Sequence, residues 1–132
     1  MRPAGALGAL LLLCSGVAAQ PMPFSDGPVR GREDALVVER LGSPDTRAEG
    51  LSARRASARR RGLERAKRAL HAHVDQWLAA ALATPALASR VHAVVERDAQ
   101  VEATRSLVDG AVVLRVALAL GPLRALLGRE AS

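Results

Sequence analysis

Val112, Leu114, Val116, Leu118 and Leu120 recur at period two directly behind the dipeptide Asp109-Gly110. Successive side chains of a strand point to opposite faces, so this spacing commits five aliphatic groups to one face of a sheet. In front of the dipeptide, Val101, Ala103, Arg105 and Leu107 alternate with Glu102, Thr104, Ser106 and Val108. Asp-Gly favours the tight hairpin turn that needs positive φ at both central residues, so the two runs are expected to be neighbouring antiparallel strands. A face as apolar as the Val112–Leu120 face must be covered by something.

The cover is written upstream. From Thr46 to about Leu82, Leu63, Ala66, Leu70, Val74, Trp77 and Ala81 recur at three- and four-residue steps, the stripe of an amphipathic helix. Asp45 or Thr46 is the expected cap, and Gly50 and Gly62 fall inside the stretch. Each interior glycine weakens a helix by roughly 1 kcal/mol. Gly62, four residues before Ala66, suits a close approach to the sheet. Thr84-Pro85 starts a second helix with a capping hydroxyl and a proline at the first turn, running to about Arg97 and burying Leu87, Val91, Val94 and Val95. Ala35 to Leu41 is short and β-branched in its middle, a first strand stopped by Gly42-Ser43-Pro44-Asp45. Gly121-Pro122 ends the last strand, and Leu123 to Leu127 can form a helical turn stopping at Gly128. The expected fold class is α+β: a small antiparallel sheet of about three strands, covered by helices on one face, in the order β-α-α-β-β-α.

The start of the chain reads differently. Met1-Arg2 is positive, Ala4 to Leu13 is apolar, and Val17-Ala18-Ala19 supplies small residues before Gln20. This is the pattern of a secretory signal over residues 1–19, cleaved between Ala19 and Gln20. Two alternatives stay open, an uncleaved anchor and a lipid anchor on Cys14. Leu13 is large where lipoprotein signals want a small residue. The mature protein is thus expected to be periplasmic or secreted, with outer-membrane attachment if Cys14 is lipidated. Residues 20–33 hold three prolines and two glycines and are expected to be a flexible leader, with a single domain over residues 34–128.

Composition narrows the chemistry. Of 132 residues only Phe24 and Trp77 are aromatic, so the core is aliphatic and built from small side chains. The formal charge is +6, nearly all of it from arginine, with Lys67 the sole lysine. Cys14 is the only cysteine, and its loss with the signal excludes a disulfide framework or a thiolate metal site.

Two stretches, Ala53-Arg54-Arg55-Ala56-Ser57-Ala58-Arg59 and Leu107-Val108-Asp109-Gly110-Ala111-Val112-Val113-Leu114-Arg115-Val116, carry a family resemblance. With the element order and the Gly-Pro-Leu ending, the chain from about Leu36 to Leu127 resembles the small bacterial outer-membrane lipoprotein family of the twenty-kilodalton type. It is also similar to the amino-terminal domain of a flagellar assembly protein. The resemblance implies an α+β domain of the periplasm or outer membrane with a structural or accessory role, and no catalytic residues.

The candidate binding residues are Arg54, Arg55, Arg59, Arg60, Arg61, Arg65 and Arg68, with Lys67 among them and Glu64 the one acid. They form either a solvated helix face, with Glu64 pairing to Arg60 and Arg68 at four-residue spacing, or an anion-binding face for envelope components. Nucleic acid is not an expected partner, because export removes it and no aromatic platform exists for stacking. His71-x-His73-x-Asp75 suggests a metal site, but residues two apart on a helix point about 200° apart. His71 and Asp75 are expected to hydrogen-bond, His73 to pack on Trp77, and His92 to stand alone. Trp77 is expected to anchor the core. No nucleophilic triad or phosphate-binding glycine loop is present, so no catalytic, cofactor or metal residue is assigned. The expected role is an envelope accessory or scaffold protein. Self-association is expected through the far side of the last strand, where Val113, Ala117 and Ala119 are interrupted only by Arg115.

Overall fold

The computed structural model describes the backbone of residues 27–131 and the side chains of residues 27–128. The signal segment, the Ala19-Gln20 cleavage point, Cys14 and the first part of the leader lie outside the described residues. The chain is α+β, with β1 (Arg30–Arg32), β2 (Ala35–Gly42), α1 (Leu51–Ala80), α2 (Pro85–Asp98), β3 (Gln100–Ser106), β4 (Val112–Ala119) and α3 (Gly121–Ala131).

The sheet has four strands rather than three, in the order β1-β2-β4-β3, with every neighbouring pair antiparallel. The added strand is the end of the stretch read as leader. Arg30 and Arg32 pair with Val37 and Ala35, and the connecting turn puts Glu33 at φ 53°. A strand of three residues with glycine at its centre has no apolar period to read. β2 and β3 run parallel on either side of β4, so α1 and α2 carry the chain across one face of the sheet.

That face is aliphatic. Leu36 and Val38 of β2 and Val112, Leu114, Val116 and Leu118 of β4 meet Ala58, Ala66, Leu70, Val74 and Leu78 of α1. Leu87, Val91, Val94 and Val95 of α2 and Leu123 of α3 complete the cluster. Each buried Val or Leu contributes roughly 1.5–3 kcal/mol. The buried stripe of α1 runs in steps of four from Ala58 through Gly62, Ala66, Leu70 and Val74 to Leu78. Leu78, not Trp77, therefore occupies the centre at the far end, while Trp77 is half-buried at its flank. Ala81 lies past the helix and is exposed.

Without large aromatic side chains, α1 sits very close to the sheet. A Cβ on Gly42 would lie 1.9 Å from the carbonyl oxygen of Ala58 and 2.7 Å from the backbone nitrogen of Gly62. On Gly62 it would lie 3.0 Å from Cδ1 of Leu114. The two glycines let a strand end and a helix touch backbone to backbone.

The start of α1 differs from expectation. Its cap is Gly50 at φ 89°, with no side-chain hydrogen bond, and neither Asp45 nor Thr46 caps it. The Asp45 carboxylate instead accepts from the Arg47 backbone N–H at 2.9 Å. The loop is held from inside the helix: the buried Ser57 hydroxyl accepts from the Asp45 N–H at 2.8 Å and donates to the Arg54 carbonyl at 2.9 Å. Thr84 caps α2 as expected, its hydroxyl accepting from the Leu87 N–H.

The Asp-Gly hairpin forms with a different turn. Gly110 N–H donates to the Leu107 carbonyl, which places Val108 and Asp109 at the centre, and only Gly110 has positive φ, 96°. This matches the three-residue hairpin loop in which a left-handed glycine makes a bulge. The stem of Arg54 packs over Gly110, whose absent Cβ would lie 3.0 Å from Arg54 Cβ. α3 is a full helix rather than a single turn and continues through Gly128. No helix among the described residues is long and apolar enough to cross a membrane.

Candidate functional site

The arginines of α1 divide by what they contact. Arg65 donates to the Leu41 carbonyl at 2.6 Å, and Arg61 lies 3.5 and 3.4 Å from the Ser43 and Pro44 carbonyls. These two clasp the end of β2 and its loop, and Arg54 covers Gly110. Arg55, Arg59, Arg60 and Arg68 are exposed and have no ion pair among the described residues. The expected Glu64 pairs with Arg60 and Arg68 do not form. Arg60, Glu64, Lys67, Arg68, His71 and Glu96 line one open groove between α1 and α2. Arg68 also joins Arg40 and Arg65 around an alanine floor made by Ala69 and Ala72. The sequence cluster thus separates into three arginines that hold the fold and four that face solvent.

The open face of the sheet is charged rather than apolar. Glu39 and Arg115 are direct cross-strand partners and meet at 3.0 Å. Glu39 is only 5% exposed and also has Arg30 at 4.0 Å. Arg32 forms a two-point pair with Glu102 at 2.5 and 2.6 Å, and Arg115 stands 4.0 Å from the same carboxylate. The chain Arg30–Glu39–Arg115–Glu102–Arg32 therefore spans all four strands. Val113 and Val37 are buried, and only the Ala117 and Ala119 end keeps the small apolar character expected of this face. The Arg32 hydrogen bond, above all, holds the Glu102 carboxyl below its ordinary pKa. Glu102 is placed here by a bulge between Val101 and Ala103.

A third cluster joins α1 to α2. The Nδ1 atoms of His71 and His92 face each other at 2.5 Å, with ring centroids 4.7 Å apart. On the outer side of each ring, His71 Nε2 meets Glu96 at 2.6 Å and His92 Nε2 meets Asp75 at 2.7 Å. Lys67 adds a contact to Glu96 at 3.4 Å. The hydrogen bond from His71 is the main reason the Glu96 carboxyl is held below its ordinary pKa. His92, expected to stand alone, is the middle of this chain, and Asp75 bonds to it rather than to His71. Helix period places His71 and Asp75 on one side of α1 and His92 and Glu96 on one side of α2. Only the pairing of the two helices shows that those sides meet. His73 packs edge-on against Trp77 at 5.2 Å, as expected. Among the described residues no three His, Cys, Asp or Glu side chains form a metal-holding group.

Comparison with protein-family models, curated proteins and solved structures finds no match.

Proposed function

We propose that this chain is an exported accessory or scaffold protein of the cell envelope, without catalytic activity, working by presenting surfaces to a partner. The supporting features are the signal pattern of residues 1–19, with cleavage before Gln20, and the resemblance to the small outer-membrane lipoprotein family. Its test begins with export. Expression in a bacterial host with an envelope should yield a periplasmic or secreted product whose mass starts at Gln20, or a lipid-bearing product starting at Cys14. A product retained in the cytoplasm at full length would defeat the reading.

A second reading has its own observation. Arg55, Arg59, Arg60 and Arg68 are four exposed guanidiniums on one helix with no ion pair among the described residues, which suits peripheral binding of anionic envelope components. These four, rather than Arg61 or Arg65, are the residues to reverse, because the latter two hold the β2 end. The expected outcome is co-sedimentation of the mature protein with anionic but not neutral vesicles, lost in moderate salt. An Arg55/Arg59/Arg60/Arg68→Glu variant should stay folded and stop binding. No sedimentation at low salt would remove this reading and leave the scaffold reading standing.

A further inference from the structure

Hydrogen-bond chemistry fixes how many protons the α1–α2 cluster can hold. A carboxylate oxygen only accepts, so each Nε2 facing one must carry a proton. Both imidazoles therefore donate outward, His71 to Glu96 and His92 to Asp75. The two inner Nδ1 atoms then face each other at 2.5 Å. With no proton between them two lone pairs are opposed, and with two protons two N–H groups of like charge are opposed. One proton satisfies both rings. In that state the cationic ring pair lies between two carboxylates, and Lys67 offsets the excess negative charge.

We propose that His71 and His92 are a proton-sharing clasp between α1 and α2, closed when the rings hold one Nδ1 proton between them and released when they hold two or none. Among the described residues, the hydrogen-bond and ion-pair partners of the two rings come from these helices: Asp75 on α1, and Glu96 on α2. Lys67 faces Glu96 from α1, and Arg60, Glu64 and Arg68 stand along the same groove. The rings are partly exposed, at 24% and 30%, so protons reach them without unfolding. The clasp thus links helix pairing to pH over a window with two edges. The two titration steps belong to the pair rather than to either residue. This inference is independent of the proposed envelope role.

The test uses the full chain with 15N-labelled histidine, followed by NMR and thermal melts across pH. His73, which touches neither ring, serves as the internal control. The expected result is that the His71 and His92 Nδ1 signals titrate together in two steps while both Nε2 atoms stay protonated through the closed window. Tm should peak in that window and fall by about 4 °C on either side. A His71→Asn variant sharpens the test. An amide offers His92 Nδ1 an N–H when that atom is bare and, turned over, a carbonyl oxygen when it is protonated, so the loss should shrink on both sides. Independent one-step titration of the two rings would overturn the proposal. So would a wild-type Tm profile unchanged by His71→Asn. One Zn2+ or Ni2+ ion bound per chain at neutral pH, raising Tm and lost in the His71→Asn variant, would also overturn it, because the Nδ1 pair would then be a metal site.

Discussion

The two faces of the sheet are held by opposite physics. On the covered face, Val38, Leu114, Val116 and Leu118 pack against α1 and α2 with no charged group in the cluster, and Gly42 and Gly62 bring backbone against backbone. On the open face, five charged side chains shield Val37 and Val113 where no helix lies. The covered face is sensitive to volume and indifferent to salt, because interiors are close-packed and apolar. The open face should respond to salt and pH and tolerate changes of size. Both arise from one composition: a chain with almost no aromatic residues cannot fill a thick core, so the helix comes in close on one side and long arginine stems cover the other.

The largest break in the comparison should come at Gly42. Gly42→Val places a side chain into the backbone of Ala58 and Gly62, which cannot move aside as a flexible side chain can. Ordinary overpacking costs about 1–3 kcal/mol, and this substitution should exceed that range. Urea denaturation should show a protein largely unfolded without denaturant. Leu114→Ala comes next, at about 3 kcal/mol, since it opens a cavity under α1 at a fully buried position. That loss should be the same at low and high salt.

Glu39→Ala moves to the open face. The carboxylate is 5% exposed, and its removal leaves Arg115 without its 3.0 Å partner on the strand beside it. The expected cost is about 1–2 kcal/mol, below the range for a fully buried pair because Arg115 remains partly in water. The loss should shrink in 1 M salt. An unchanged loss at high salt would mean that the stem of Glu39, not its charge, holds this face.

The comparison also explains which parts of the fold were legible. The covered face was readable because burial on one side imposes a period: Val112 to Leu120 at two, Ala66 to Val74 at four, and Thr84-Pro85 as a start signal. The open face was not readable as a network. Arg115 stands among Val113, Ala117 and Ala119 in the sequence, but its partners lie 76 residues away at Glu39 and across the sheet at Glu102. β1 was hidden for a related reason, since its only function visible in the fold is to bring Arg30 and Arg32 to this face. The histidine cluster needed the same long-range knowledge. His71 and His92 each sit at an unremarkable helical position, and only the antiparallel return of α2 along α1 brings their Nδ1 atoms together. The α1 arginines are neighbours in the sequence and so are visible there as a group. Their division into clasping and exposed members depended on where the Leu41–Pro44 carbonyls lie.

The smallest expected effect is at Glu102, and it tests the open face by pH rather than by mutation alone. Its folded-state pKa lies below the ordinary carboxylate value, chiefly through the Arg32 hydrogen bond and then the charges of Arg32, Arg115 and Arg30. A carboxyl depressed on folding adds stability that is fully present above its unfolded pKa, about 4.3 for a glutamate. That contribution fades as pH falls through the lower, folded value. Glu96, through its bond to His71, and Asp98, through its bond to Arg97, follow the same sign, so the acid limb has three contributors among the described residues. Glu102→Gln should therefore lower Tm slightly at neutral pH and low salt, leave it nearly unchanged at pH 3, and so remove part of the acid-induced loss; high salt should shrink the neutral-pH effect. Because Arg32 is a surface residue on a short edge strand, the change should be the most strongly screened of the four. If Glu102→Gln instead lowered Tm equally at pH 3 and pH 7, the charge of this carboxylate would not be what ties β1 to β3. The open face would then rest on the Glu39–Arg115 pair between the two central strands.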